Sequence, residues 1–122
     1  MRERAVAIEL VDERKAGRLL AVEDRRVVGF IAYFVLATEP HALVAVHTVV
    51  EPGHEGRGIG GELVKGFYAM AAAEGDGQGV PVVPLCPYAA AWAGRHPELA
   101  PEAPAGVVAA AREQLERDAD LW

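Results

Sequence analysis

The fold of this chain is decided by one stretch of sequence, which reads His47-Thr48-Val49-Val50-Glu51-Pro52-Gly53-His54-Glu55-Gly56-Arg57-Gly58-Ile59-Gly60-Gly61. β-branched residues lead into it, and a segment with apolar residues at helical spacing follows. This order predicts a strand, a tight turn and a helix N-terminus. Such a junction presents unpaired backbone N–H groups to an anion, and the glycines permit close approach. The first hypothesis is a phosphate-bearing cofactor, and the alternative is a loop that needs glycine only for positive φ.

The segments around this stretch predict strands and helices in a mixed order. The expected strands are Val6–Val11, Arg18–Glu23, Val27–Ala37, His41–Val50 and Val80–Leu85, with a hairpin turn at Asp24-Arg25-Arg26. The expected helices run from Gly58 to Glu74, from Cys86-Pro87 to Gly94 and from Ala105 to Ala119. Strict alternation in the fourth strand places Leu43, Ala45, His47 and Val49 on one face and Val44, Val46, Thr48 and Val50 on the other. Both faces are largely apolar, which is typical of a central strand.

Composition narrows the class of protein. Twelve Lys and Arg against eighteen Asp and Glu give a net charge of −6, which argues against a nucleic-acid-binding surface. Cys86 is the only cysteine, so no intramolecular disulfide can form, and we expect a cytoplasmic protein. No apolar segment is long enough to predict export or a membrane span. The other histidines, His41, His54 and His96, lack the spacing of metal ligands, and no metal is predicted.

The glycine turn fits neither common nucleotide motif, because it lacks the Gly-Lys-Ser/Thr ending of a P-loop and the Rossmann spacing. The run Val-Val-Glu-Pro-x-x-Glu-Gly-Arg-Gly-Ile-Gly-Gly at 49–61 resembles the acetyl-coenzyme A site of the GNAT N-acetyltransferase superfamily. Two further segments, Val83-Pro84-Leu85-Cys86-Pro87-Tyr88 and Arg95-His96-Pro97-Glu98, together with His47-Thr48, are similar to the short, single-domain YjdJ-type members. The narrower resemblance covers nearly all of residues 15–99.

This resemblance implies an α/β (α+β) fold with a mixed, mostly antiparallel central sheet that is splayed at its middle and flanked by helices. Residues 1–99 would form the N-acetyltransferase domain. Residues 100–122 would be a C-terminal helical extension that packs either on the same domain or on a partner subunit, so a homodimer is left open.

The resemblance also implies a cofactor site. Acetyl-coenzyme A would be the co-substrate, with its pantetheine arm lying in the splayed sheet beside Thr48, Val49 and Val50. The backbone of Gly56, Arg57, Gly58, Ile59, Gly60 and Gly61 would hold the pyrophosphate. Glu55 stands where the family pattern has Gln or Arg. A backbone N–H near Thr48 would polarise the thioester carbonyl.

Three residues are candidates for catalysis. His47 is the first candidate for the group that accepts the proton of the amine, and its alternative role is that of a core histidine. Cys86, at a predicted helix N-terminus that favours a thiolate, could accept the acetyl group transiently or touch the cofactor sulfur. It could equally be a small buried residue. Tyr88 could protonate the departing coenzyme A thiolate, or it could serve packing.

The leading functional hypothesis is therefore an acetyl-coenzyme A-dependent N-acetyltransferase that acts on an amine of a small molecule, a polyamine or a protein. Neither nucleic acid nor a membrane is expected as a partner, and a homodimer is left open. A non-catalytic acyl-coenzyme A binding module is the alternative, and it would keep the glycine turn without needing His47 or Cys86. A Cys/His hydrolase is a third possibility, but it leaves the glycines unexplained.

Overall fold

The computed structural model of the protein describes residues 8–122 and contains one five-stranded sheet with three α-helices. The strands are β1 (Glu9–Glu13), β2 (Arg18–Glu23), β3 (Arg26–Val35), β4 (Leu43–Val50) and β5 (Val82–Pro84). The helices are α1 (Ile59–Ala73), α2 (Pro87–Arg95) and α3 (Ala105–Arg117), and short 3-10 helices occupy Arg14–Ala16 and Ala119–Leu121. None of the helices within residues 8–122 has the length and apolar character needed to cross a membrane.

The sheet has the order β1-β2-β3-β4-β5, and its first four strands are antiparallel neighbours. β5 returns parallel to β4 after the α1 crossover, so the sheet is mixed and mostly antiparallel, which confirms the predicted fold class. β4 and β5 pair only between Leu43–Ala45 and Val82–Pro84. β4 continues to Val50 without a second strand partner among the described residues, so the two strands diverge beyond Ala45, and the free edge of β4 that results is called the gap below.

The predicted alternation of β4 is wrong beyond Ala45. Tyr33 pairs with Ala45 and Ala32 pairs with His47, so Val46 is an extra residue without a partner on β3. Such a β-bulge reverses the facing of every later residue. Val50 therefore packs into the same core as Leu43 and Ala45.

The two faces of the sheet carry separate clusters of buried residues. On one face, α1 and α2 pack Leu63, Phe67 and Trp92 against strand residues such as Ile31 and Tyr33. Tyr33 meets Phe67 edge to face at 5.1 Å between ring centroids. On the other face, α3 buries Val107 and Ala111 against Leu36, Ala42, Val44 and Val83. α3 thus packs on the sheet of its own chain.

Two local details differ from the sequence prediction. The first strand begins at Glu9 and runs to Glu13, and the predicted strand residues Val6 and Ala7 lie outside the described residues. The hairpin turn between β2 and β3 consists of Asp24 and Arg25, both with positive φ, so that β3 begins at Arg26. Positive φ at both central residues is the geometry of a type I′ turn, which suits the twist of a two-residue hairpin.

Candidate active site

The gap beside β4 is closed at its inner end by a contact between two side chains. The Cys86 thiol donates to the Thr48 hydroxyl oxygen, with 3.4 Å between Sγ and Oγ1. Cys86 occupies the N-cap position of α2, with Pro87 as the first helical residue, and its side chain is buried. Its own N–H and that of Leu85 both donate to the carbonyl oxygen of Ala45, the last β4 residue that pairs with β5. Thr48 and Cys86 therefore lie at the point where the sheet splits.

The backbone of β4 offers free hydrogen-bonding groups to this gap. The N–H of Glu51 donates to the carbonyl oxygen of Val28 on β3. Because backbone amides alternate in direction along a strand, those of Val49 and His47 also face β3. Those of Thr48 and Val50 then face the gap, where an extended ligand could pair with them.

The glycine turn that follows β4 leads directly into α1. Gly56 and Gly58 adopt positive φ, 82° and 81°, and a Cβ added to either would meet no atom within 4 Å. Both glycines are needed for their backbone conformation, and space above the main chain is open. The first intrahelical bond runs from the N–H of Glu62 to the carbonyl of Gly58, and α1 has no side-chain cap. The N–H groups of Ile59, Gly60 and Gly61 are thus left for another acceptor within the described part of the chain.

A cavity of about 400 Å³ lies at this helix N-terminus, lined by Ile8, Arg57, Gly58, Ile59 and Glu62. The turn therefore combines three properties that an anionic group requires: unpaired donors, the positive end of a helix dipole and room to approach. These features fit the pyrophosphate of a coenzyme A molecule.

The charged side chains of the glycine turn form hydrogen bonds with other residues of the protein. The Arg57 guanidinium donates to Glu23 on β2 at 2.6 Å and to Nδ1 of His54 at 2.8 Å. The hydrogen bond from Arg57 keeps the pKa of the Glu23 carboxyl below its usual value. The Glu55 carboxylate accepts the N–H of Gly53 at 3.0 Å. Arg57 and Glu55 are thus engaged within the protein, and the backbone is the part of the turn that remains available.

Tyr88 lies against the first turn of α1. A Cβ added to Gly60 would sit 2.7 Å from the Tyr88 hydroxyl oxygen and 2.8 Å from its Cζ. The absence of a side chain at Gly60 thus lets the phenol approach the helix N-terminus, and Tyr88 remains 44% exposed. Gly61 packs less tightly, since its added Cβ would lie 3.5 Å from Nε1 of Trp92.

His47 lies on the opposite face of the sheet. Beyond the bulge its side chain points away from Thr48 and Cys86, and its Nε2 lies 3.0 Å from the main-chain oxygen of Trp122. Because that oxygen can only accept, Nε2 is the donor in this contact. Val49 shares this face and is also exposed.

The structure thus brings Thr48 and Cys86 to the split of the sheet, and Gly60 and Tyr88 to the neighbouring helix end. It separates His47 from them by the thickness of β4. Sequence reasoning missed two partners, Glu23 of Arg57 and Trp122 of His47. The latter pair is 75 residues apart in the chain, and no local pattern links the two positions.

Comparisons with known proteins agree with this geometry. The model of the GCN5-related N-acetyl-transferase family matches residues 18–101. Among solved structures, the chain is similar to the ribosomal-protein-alanine N-acetyltransferase of Brucella melitensis biovar Abortus 2308, with 20% identity and a TM-score of 0.54, over 83% of this chain and 94% of that chain. No curated protein matches the sequence significantly. The matched region spans β2 to the end of α2 and includes both the glycine turn and Cys86, so the chain belongs to the GCN5-related N-acetyltransferase family.

Proposed function

We propose that the protein transfers an acetyl group from acetyl-coenzyme A to an amine. The observation that carries this proposal is the divergence of β4 and β5 beyond Ala45, with the Thr48–Cys86 contact at the split and the unpaired N–H groups of α1 following the end of β4. One ligand with an extended arm and a pyrophosphate would use both features. Family membership supports acetyl transfer in general, and the amine acceptor and the individual roles below are our proposal.

The backbone N–H of Thr48 would receive the thioester oxygen. During attack by the amine, negative charge grows on that oxygen, and a fixed N–H donor stabilises it by about 3 kcal/mol. The carbon–sulfur bond then breaks, the sulfur leaves with the bonding electron pair, and a proton must reach it. The Tyr88 phenol at the mouth of the gap is our candidate for that donor.

Cys86 lies close enough to the proposed thioester position to have one of two roles. In the direct route the amine attacks the thioester itself, and the Cys86 thiol only lies beside the reacting atoms. In the covalent route the Cys86 sulfur, after losing its proton to a base, attacks the acetyl carbon and releases coenzyme A, and the amine later takes the acetyl group. We favour the direct route, because the Cys86 thiol donates to Thr48 and is buried.

Coenzyme A binding tests the glycine turn. Gly58→Ala forces an L side chain into φ 81°, and Gly77→Ala creates the same strain at φ 84° in the loop after α1, with open space in both cases. Both variants should lose similar stability, roughly 1–2 kcal/mol. Calorimetric titration should show weaker coenzyme A binding for Gly58→Ala alone. Equal affinities in the two variants would remove the turn from the site.

Release of coenzyme A from acetyl-coenzyme A, measured with and without amines, tests the reaction. Amine-dependent release supports transfer, whereas tight binding without release supports the non-catalytic binding module. Thr48→Val removes the hydroxyl that accepts from Cys86 but keeps the backbone N–H, so we expect it to retain most activity. Intact-mass measurement after incubation with acetyl-coenzyme A distinguishes the routes, since an added acetyl group that is absent from Cys86→Ala would establish the covalent one.

A further inference from the structure

A second cavity lies on the face of the sheet opposite α1. Its volume is about 360 Å³, and its floor is formed by side chains of β2, β3 and β4, including Arg18, Phe30, His47 and Val49. Leu121 and Trp122 form a wall. Residues 119–122, called here the terminal segment, lie outside the part of the chain that the family model matches. This wall is therefore a feature of the present chain beyond the shared domain.

The terminal segment is held in place by contacts with the sheet. The Trp122 ring lies against Phe34 at 5.8 Å between centroids, and its main-chain oxygen accepts from Nε2 of His47 at 3.0 Å. The wall and the imidazole thus fix one another, and Nδ1 of His47 has no hydrogen-bond partner within residues 8–122. A base whose tautomer is set by a second group is suited to proton transfer.

The polar groups of this cavity include the Arg18 guanidinium, the His47 imidazole and the main-chain oxygen of Trp122. The Arg18 guanidinium lies over the Phe30 ring at 4.4 Å. No carboxylate within residues 8–122 forms an ion pair with Arg18. In a protein with a net charge of −6, an arginine without a carboxylate partner among these residues offers a negatively charged group a charge to pair with. The remaining walls, formed by Val49, Phe30 and the terminal segment, favour an apolar body.

The position of the cavity relates it to the proposed transfer site. β4 forms one wall of both, because Thr48 turns toward the gap while its neighbours His47 and Val49 line the cavity. The two ligands would therefore approach the split of the sheet from opposite faces.

We infer that this cavity is the acceptor site and that it takes a small primary amine that also carries a carboxylate and an apolar side chain. The inference rests on the proposed acetyl transfer. The carboxylate would pair with Arg18 and the apolar group would lie against Trp122. The amine would face His47. The positive charge of Arg18 disfavours a nearby ammonium and so helps the amine to lose its proton.

The transfer step balances as follows. The acceptor ammonium gives one proton to Nδ1 of His47, and the nitrogen lone pair freed in this way forms a bond to the acetyl carbon. The nitrogen then loses a second proton, which leaves a neutral amide. The carbon–sulfur bond breaks, and its electron pair leaves with the coenzyme A sulfur, which takes up a proton. The products are an N-acetyl amino acid-like compound and coenzyme A.

Phenylalanine and phenethylamine form the test pair, because they differ only by the carboxylate. We expect kcat/KM to favour phenylalanine by roughly 10- to 100-fold, the effect of a hydrogen bond to a charged group. Arg18→Gln should abolish this preference, whereas Arg112→Gln on the exposed surface of α3 should keep it. Trp122→Ala should raise KM for both amines alike. Equal rates in the wild type, or an unchanged preference in Arg18→Gln, would overturn the inference.

Binding separates this inference from the proposed function. Calorimetry with phenylalanine alone should show binding to the wild type and to Arg112→Gln, and loss of binding in Arg18→Gln. If this pattern holds while no acetyl transfer occurs, the cavity is a carboxylate-selective amine site and the proposed reaction is wrong. If coenzyme A is released with other amines but phenylalanine neither binds nor reacts, the reaction stands and the acceptor assignment is refuted.

Discussion

Gly60 and Gly61 are adjacent glycines in the first turn of α1, and alanine at the two positions should have opposite effects on stability. Both replacements remove the backbone freedom of glycine in a helix, which favours folding by about 0.5–1 kcal/mol. At Gly61 the added Cβ would lie 3.5 Å from Nε1 of Trp92, an ordinary contact. Gly61→Ala should therefore stabilise the protein.

At Gly60 the added Cβ would lie 2.7 Å from the Tyr88 hydroxyl oxygen and 2.8 and 3.0 Å from the ring atoms Cζ and Cε1. Carbon contacts are favourable at about 3.5–4.0 Å, so the ring would have to move by roughly 0.5–1 Å. Overpacking of this kind costs about 1–3 kcal/mol. The lower part of that range applies because Tyr88 is 44% exposed and can turn outward. We expect Gly60→Ala to be less stable than Gly61→Ala by about 1–2 kcal/mol.

Urea unfolding followed by tryptophan fluorescence measures this difference. The double variant Gly60→Ala/Tyr88→Ala removes the overlap, so its stability should exceed the sum of the two single effects by the cost of the clash. Equal stabilisation by Gly60→Ala and Gly61→Ala would refute the reasoning. A double variant whose stability is additive would likewise show that Tyr88 does not lie on Gly60.

Three further predictions concern the rest of the molecule. Arg57 lowers the pKa of Glu23 in the folded protein. The pair therefore stabilises the fold at a pH above the ordinary pKa of glutamate, and this stabilisation is lost as the pH falls through the lower pKa of the folded state. The denaturant midpoint of Glu23→Gln should accordingly depend less on pH below about 4.5 than the midpoint of the wild type or of the control Glu113→Gln. Equal slopes of midpoint against pH in the three proteins would contradict this. Burial, and then the hydrogen bond to Asp12, raises the pKa of Tyr33 to about 12 from 10.0. Tyr33 therefore ionises at lower pH in the unfolded chain than in the folded protein, and the free energy of unfolding should fall as the pH rises from 10 toward 12. Tyr33→Phe should reduce that fall. The remainder is expected from Tyr68, because burial raises its pKa to about 12 as well. Arg25→Gly should raise the free energy of unfolding by about 0.5–1 kcal/mol, because it relieves a left-handed arginine in the β2–β3 turn at φ 64°. A lower free energy of unfolding in urea titration would show that the turn is unstrained.

The elements that sequence predicted well are those whose signal is local. α1 follows from the spacing of Leu63, Val64 and Phe67, and its start follows from the glycines that precede it. The same locality predicted the strand that ends in the turn and the short strand that follows α1, although not its parallel pairing with β4. The placement of Cys86 at the N-terminus of α2 depends only on the proline that follows it.

Contacts between distant segments could not be predicted in this way. Trp122 meets His47 across 75 residues, and Arg57 meets Glu23 across 34. Glu55 illustrates a different limit, since its carboxylate accepts a hydrogen bond from Gly53 in its own loop. A family pattern that assigns position 55 to the cofactor says nothing about such a local alternative.

The bulge at Val46 is the reason why strict alternation along β4 predicted the wrong face for the residues beyond Ala45. An inserted residue increases the local twist and bends its strand, and β4 parts from β5 directly before it, after Ala45. The same insertion exchanges the faces of the residues that follow, so Thr48 reaches Cys86 while His47 reaches Trp122. In an unbroken strand His47 would share the face of Ala45 and the cofactor side of the gap. A single unpaired residue thus separates Thr48, the proposed donor to the thioester oxygen, from His47, the proposed base, on opposite faces of one strand.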